Sequence, residues 1–292
     1  MIRMTSVLLM AGLLTACGGS GSNIIADGFG GAGGGGTGSG TGGTSGGTTN
    51  AEGIPTVLAK NVEKITYDST AQTLKVTLSG LDASDKEATY NRNAALDLNG
   101  YLAYDIQESS AQRRFVALVK ESARGTVMAS VVADGGQFNR YFGGGYYSRI
   151  DAYTIPTSGL ATYIGSYAGV ITLNDGSGGP QRTQGTVTLN ADFTNSLVNG
   201  AVTNRSTTGG QALDTLVLTA TSIDETGTFL GKVEFEDLTG VGDYGGLFGG
   251  TDASDVAGVL VVNPIGGDGT VWEHGAFVLP RCGTAGDAAT CP

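Results

Sequence analysis

From Ile54 onward the chain alternates apolar and polar residues with a period of two, and turn residues separate the runs. The clearest run is Phe229-Leu230-Gly231-Lys232-Val233-Glu234-Phe235-Glu236. Phe229, Gly231, Val233 and Phe235 fall on one face, and Lys232, Glu234 and Glu236 on the other. That is a strand with one packed and one wet face. Eight such runs fill the second half: Ala161–Leu173, Gln184–Phe193, Ser196–Val202, Leu213–Thr221, Thr228–Glu236, Asp243–Phe248, Val256–Val262 and His274–Leu279. In the first of them Tyr163, Gly165, Tyr167, Gly169, Ile171 and Leu173 share a face, and glycine alternating with aromatics suits curvature and close backbone approach. Turns are expected at Asp175-Gly176, Asn199-Gly200 and Asp268-Gly269. Eight short antiparallel strands predict a small closed barrel, which removes exposed edges; a β-sandwich is the alternative with the same pattern.

The first half is also β. Lys64–Asp68 and Thr73–Leu78 read as a hairpin around Ser69-Thr70, followed by strands at Gly100–Ile106, Arg114–Val119 and Thr126–Val132. The Ala-rich stretch between Ala83 and Leu96 predicts a short helix. An aromatic and glycine cluster follows: Phe138, Tyr141, Phe142, Gly143, Gly144, Gly145, Tyr146 and Tyr147. Tyr141, Phe142, Tyr146 and Tyr147 are candidates for an exposed ligand-binding patch, since rigid aromatics dominate binding hot spots and Tyr can hold haem. The more ordinary reading packs these rings between the two halves of the fold, with Gly143-Gly144-Gly145 as the turn that admits them. The fold class is therefore all-β: a small β-rich domain over 54–156, then an eight-stranded antiparallel β-barrel over 157–281.

Composition narrows the chemistry. Only 15% of the 292 residues are charged, with 27 acids against 16 bases and a net charge of −11. So few bases cannot neutralise many phosphates, and no nucleic-acid partner is expected. His274 is the single His, which removes most His-based metal sites and most nucleophile–His catalysis. It is a candidate axial ligand for haem iron, but a lone His beside Trp272 and Glu273 is more often an ordinary strand-end residue. Glu234, Glu236, Asp237, Asp243, Asp252 and Asp255 fit no Ca²⁺ loop and read as solvated surface. No paired carboxylates stand in a recognisable frame. The chain is read as non-catalytic, with no built-in cofactor and haem only as a possible ligand.

The N-terminus has one basic residue, Arg3, then an apolar run from Val7 to Ala16 that is too short to span a bilayer as a helix. Leu14-Thr15-Ala16-Cys17 resembles a bacterial lipobox, which implies that 1–16 are a signal peptide and that Cys17 carries lipid, palmitate included. Gly18 at the next position favours the outer membrane by the sorting rule of Gram-negative lipoproteins. Residues 17–53 are mostly Gly, Ser, Thr and Ala and form a disordered tether. Gly43-Thr44-Ser45-Gly46-Gly47 matches a nucleophile elbow only in letters, because no strand precedes it and no helix follows. With Cys17 lipidated, Cys282 and Cys291 remain as an even pair in an exported chain, and a disulfide closing the 282–292 tail is expected.

Four stretches in the second half resemble the barrel of the transferrin-binding-protein-B-like surface lipoproteins of Gram-negative bacteria. They are Ala161 to Gly169 with its Tyr-x-Gly-x-aromatic core, Gly185 to Phe193 followed by Val198-Asn199-Gly200, Gly227 to Gly231, and Gly245-Gly246-Leu247-Phe248-Gly249 followed by Ala253, Val256, Ala257 and Gly258. Gly275-Ala276-Phe277 resembles the closing strand. The resemblance implies a handle domain followed by a barrel, display at the cell surface, an outer-membrane translocator as export partner, and capture of an extracellular protein or haem. The chain has room for one handle and one barrel, where transferrin-binding protein B has two of each. A periplasm-facing assembly lipoprotein and an adhesin are the other two readings.

Overall fold

A computed structural model describes residues 49–137, 140–173, 179–263, 271–284 and 286–291. A single helical turn, α1 (Thr56–Ala59), leads into seven strands: β1 (Val62–Asp68), β2 (Thr73–Leu78), β3 (Lys86–Arg92), β4 (Leu102–Ile106), β5 (Phe115–Glu121), β6 (Val127–Asp134) and β7 (Gly143–Arg149). Each pairs with the next, so the sheet runs in sequence order. It curls until its two ends meet beside α1, where the Asn61 N–H donates to Gly143 O at 3.0 Å. This is the handle. The barrel follows: β8 (Leu160–Leu173), β9 (Gln181–Asp192), β10 (Leu197–Thr207), β11 (Leu216–Ser222), β12 (Thr228–Glu234), β13 (Gly240–Gly249), β14 (Asp255–Val262) and β15 (Val271–Pro280). β15 pairs back onto β8 and closes it. The pattern thus resolves to a barrel and not a sandwich, with one strand for each of the eight runs.

Alternation sets the two faces of the barrel. Tyr163, Tyr167, Leu189, Phe229, Tyr244, Phe248 and Phe277 fill its interior. Ala168, Val170, Val259, Val261, Ala276 and Val278 point outward and join the core of the handle. β14 is consequently buried along its whole length, which is why its sequence is a nearly unbroken apolar run. The handle–barrel seam is also hydrogen-bonded. Asn99 Nδ2 donates to Tyr167 O and Gly185 O at 2.9 and 2.8 Å, and Tyr101 OH to Ala276 O at 3.0 Å. Asp255, read from the sequence as solvated surface, is instead 1% exposed, because it accepts from Thr126 Oγ1 at 2.8 Å and pairs with Arg124 at 3.0 Å across the seam.

Four sequence expectations need correction. The stretch from Ala83 to Leu96 is not a helix: it holds β3 and a 3-10 turn at Ala94–Leu96, because Ala88 and Tyr90 alternate inward while Glu87 pairs outward with Lys75 at 2.6 Å. Gly143, Gly144 and Gly145 are not a turn but the start of β7. Their lack of a side chain serves close approach: a Cβ on Gly144 would lie 1.8 Å from Ala59 O, and one on Gly145 2.7 Å from Val259 Cβ. Asn199-Gly200 lies inside β10, where a Cβ on Gly200 would meet Thr188 O at 2.1 Å. The last residues assigned to the tether belong to the handle, since Asn50 Nδ2 bonds Val62 O at 3.0 Å and Thr49 bridges to Pro55. Asp175-Gly176 and Asp268-Gly269 lie outside the described residues.

Replacing Gly145 by Val is expected to force Val259 away from the seam and to cost about 1–3 kcal/mol, as overpacking does; the midpoint of urea unfolding reads it. Cys282 and Cys291 are disulfide-bonded with Cα atoms 5.4 Å apart, and the Cys282 N–H donates to Thr162 O at 2.8 Å. The bridge closes a short loop beyond the last strand, so reducing it is expected to cost no more than about 2–3 kcal/mol. Urea unfolding with and without reductant measures that difference.

Candidate functional site

The handle sheet is not evenly zipped. β2 and β3 pair over their full length, from Leu74–Tyr90 to Leu78–Lys86. β3 and β4 pair only at Asn91–Asp105 and Arg92–Tyr104, because β4 ends at Ile106 and leaves the first half of β3 without a neighbour on that side. The gap is a cleft of about 340 Å³. Its floor is apolar: Val76 and Leu78 from β2, Ala88 and Tyr90 from β3, Ile106 from β4 and Phe115 from β5. Tyr90 and Phe115 meet edge to face with centroids 6.4 Å apart. Burial pushes the Tyr90 phenol well above its ordinary pKa, and the nearby Asp134 carboxylate adds to the shift. The phenol therefore stays neutral.

The mouth is polar. Lys86 reaches across the gap to Glu108 at 2.9 Å, with both side chains near half-exposed. Arg113 pairs with the fully buried Asp134, donates to Gln137 O and Arg140 O at 2.8 and 2.9 Å, and lies over the Phe142 ring at 5.1 Å. Asp134 in turn accepts from the backbone N–H groups of Gly136 and Phe142 at 3.1 and 3.0 Å. This arginine thus ties the loop after β4 to the loop after β6 and fixes one wall. A smaller hollow of about 210 Å³ adjoins it and shares Arg113 and Gln137. An apolar floor with a few fixed polar groups at the mouth of a curled sheet is the usual make-up of a ligand site.

The sequence candidates lie elsewhere. Phe142 is buried beneath Arg113. Tyr146 and Tyr147 are buried on opposite faces of β7. Tyr146 turns into the handle with its hydroxyl 3.4 Å from Glu52, and desolvation raises its pKa to about 12, with Glu52 adding to the rise. Tyr147 shares the face of Gly145 that meets the barrel. Tyr141 packs on Trp272 and His274 at 5.4 and 5.5 Å. These rings do not form an exposed patch; they belong to the handle core and the seam. His274 is mid-strand and 0% exposed, so it presents no open coordination face. Phe138 and the lipid-attachment candidate Cys17 lie outside the described residues. Among the described residues no cluster of three or more His, Cys, Asp or Glu is placed to hold a metal ion.

Reading by motif missed the cleft. The signal that points to it is the alternation of Ala88 and Tyr90 within a stretch otherwise rich in helix formers.

A curled seven-stranded handle followed by a closed eight-stranded barrel is the architecture that the resemblance to transferrin-binding-protein-B-like lipoproteins implied. No family model and no curated protein sequence matches the chain. Among solved structures it is similar to intact Ap-TbpB with its N and C lobes, at 12% identity and a TM-score of 0.40, over 75% of this chain and 55% of that one. It is similar to a transferrin-binding protein B variant of Haemophilus parasuis Hp5 at 11% identity and a TM-score of 0.42, over 75% and 54%. A third is the isotype 1 transferrin-binding protein B of serogroup B Neisseria meningitidis, at 13% and 0.36, over 75% and 52%. The chain spans about half the length of each.

Proposed function

We propose that this chain is a non-catalytic surface lipoprotein of the outer membrane that captures an extracellular ligand in the handle cleft. The cleft carries the reading: an apolar floor beside fixed polar groups, with no nucleophile–base pair or carboxylate dyad in its lining. The lipobox-like Leu14-Thr15-Ala16-Cys17 supports the anchor, and several acyl chains on Cys17 would make attachment stable. A Gly-rich coil of the tether's composition suits holding a folded domain clear of a lipid surface. Passage to the outer leaflet requires a translocator in the outer membrane.

Protease added to intact cells, with a blot for the region after Asn50 and a periplasmic protein as control, tests the placement. Loss of the chain while the control survives is expected. Survival of both would put the chain on the inner leaflet and favour an envelope-assembly role. Binding to a glycan array by the purified protein, unaffected by filling the cleft, would favour the adhesin.

A further inference from the structure

We propose that the cleft takes one extended peptide segment of a protein partner as a strand added along β3 where β4 has ended; this rests on the cleft being the ligand site. The ladder between these strands ends at Asn91–Asp105 and Arg92–Tyr104, beyond which the Asn93 N–H donates to Ala103 O at 2.9 Å. Hydrogen-bonded positions alternate along an antiparallel pair. Counting back from Asn93 through Asn91, the next backbone groups aimed at β4 belong to Thr89 and Glu87. Both residues keep their places opposite Lys75 and Thr77 on β2. On the β4 side they have no backbone partner among the described residues. A row of open donors and acceptors within a sheet is a template for another chain.

The side chains fit the same occupant. Ala88 and Tyr90 point into the cleft, so a strand beside them drops every second residue onto the apolar floor. Charge narrows the segment further. Lys86 is matched by Glu108 and Arg113 by Asp134. Asp82 lines the mouth and has no ion-pair or hydrogen-bond partner among the described residues, so it is the lining carboxylate open to an incoming cation. The favoured segment is apolar at alternate positions, with a Lys or Arg placed toward Asp82.

A phage-displayed library of linear decapeptides panned against the full chain supplies the probe, and enriched sequences are remade as free peptides. Thr89→Pro deletes the cleft-facing N–H while sparing the β2 ladder, because Thr89 sits at a non-hydrogen-bonded position opposite Lys75. Ala88→Trp fills the hollow. The expected result is enrichment of alternating apolar peptides that bind at least about tenfold more weakly to either variant. In the wild-type complex the amide protons of Thr89 and Glu87 should exchange more slowly, a readout that stands even if a variant misfolds. Loss of binding by Ala88→Trp, with full binding by a folded Thr89→Pro and no added protection, would overturn strand addition while keeping the cleft as ligand site. Full binding by both variants would overturn the cleft as well. A library that enriches no alternating sequence overturns the proposal.

Discussion

Glu273→Gln is expected to lower the thermal midpoint by about 10 °C, since about 3–5 kcal/mol goes with breaking a buried ion pair. Glu273 and Arg205 sit inside the barrel, 0% and 2% exposed at their side chains. The carboxylate pairs with the guanidinium and accepts from Tyr167 OH and Thr183 Oγ1 at 2.7 and 2.6 Å, while Arg205 also donates to Asp214 O. The space for this network comes from two facing glycines. Gly275 pairs with Gly169, and a Cβ on Gly275 would lie 2.0 Å from Tyr167 OH. Gln keeps the shape and removes the charge, leaving a desolvated guanidinium without its anion. Replacing both partners, Arg205→Met with Glu273→Leu, should recover part of the loss, because no charge is then stranded. Differential scanning calorimetry of the wild type, the single variant and the double variant decides it. An unchanged midpoint for Glu273→Gln would mean that the pair is hydrated in solution.

Acid should weaken the fold through His274. Neither ring nitrogen has a hydrogen-bond partner among the described residues. The ring packs under Tyr141, and the barrel strands beside it contribute Val170 and Val261. Desolvation, with the Lys60 ammonium second, lowers its pKa from 6.5 to about 3. The folded state therefore binds this proton less readily than the unfolded chain does. The contribution of neutral His274 is complete above pH 6.5 and is lost as pH falls toward 3. By about pH 5 the loss is about 2 kcal/mol. His274→Leu should flatten this acid slope and be no less stable at neutral pH, since it removes two orphaned polar atoms. Urea midpoints at pH 7 and pH 5 for both proteins provide the check; equal slopes would move the acid sensitivity elsewhere.

The barrel was legible because the strands away from the handle alternate apolar in and polar out, and because β14, buried on both faces, still reads as a strand. β7 was not, since three glycines in a row carry no periodicity and resemble a turn; the backbones of α1 and β6 and the Val259 side chain of β14, pressed against them, explain their presence. β3 was masked by its composition of Lys, Glu and Ala. The cleft depends on where β4 stops short of β3, and no residue type marks that. Arg113 and Asp134 are twenty-one positions apart and meet because the β5–β6 hairpin sets Asp134 opposite Phe115. The interior pair did leave a trace: Glu273 breaks the inward series continued by Gly275, Phe277 and Leu279. What it breaks the series for becomes visible only when β15 closes onto β8.

The stapled seam between handle and barrel has a thermodynamic consequence. With Asp255, Asn99 and Tyr101 bonding one body to the other, any second arrangement of handle and barrel would have to break these buried bonds. A ligand bound in the cleft as proposed is therefore expected to follow a single-site isotherm, uncoupled from the barrel. It would leave at its own dissociation rate, with no trigger from the barrel to hasten it.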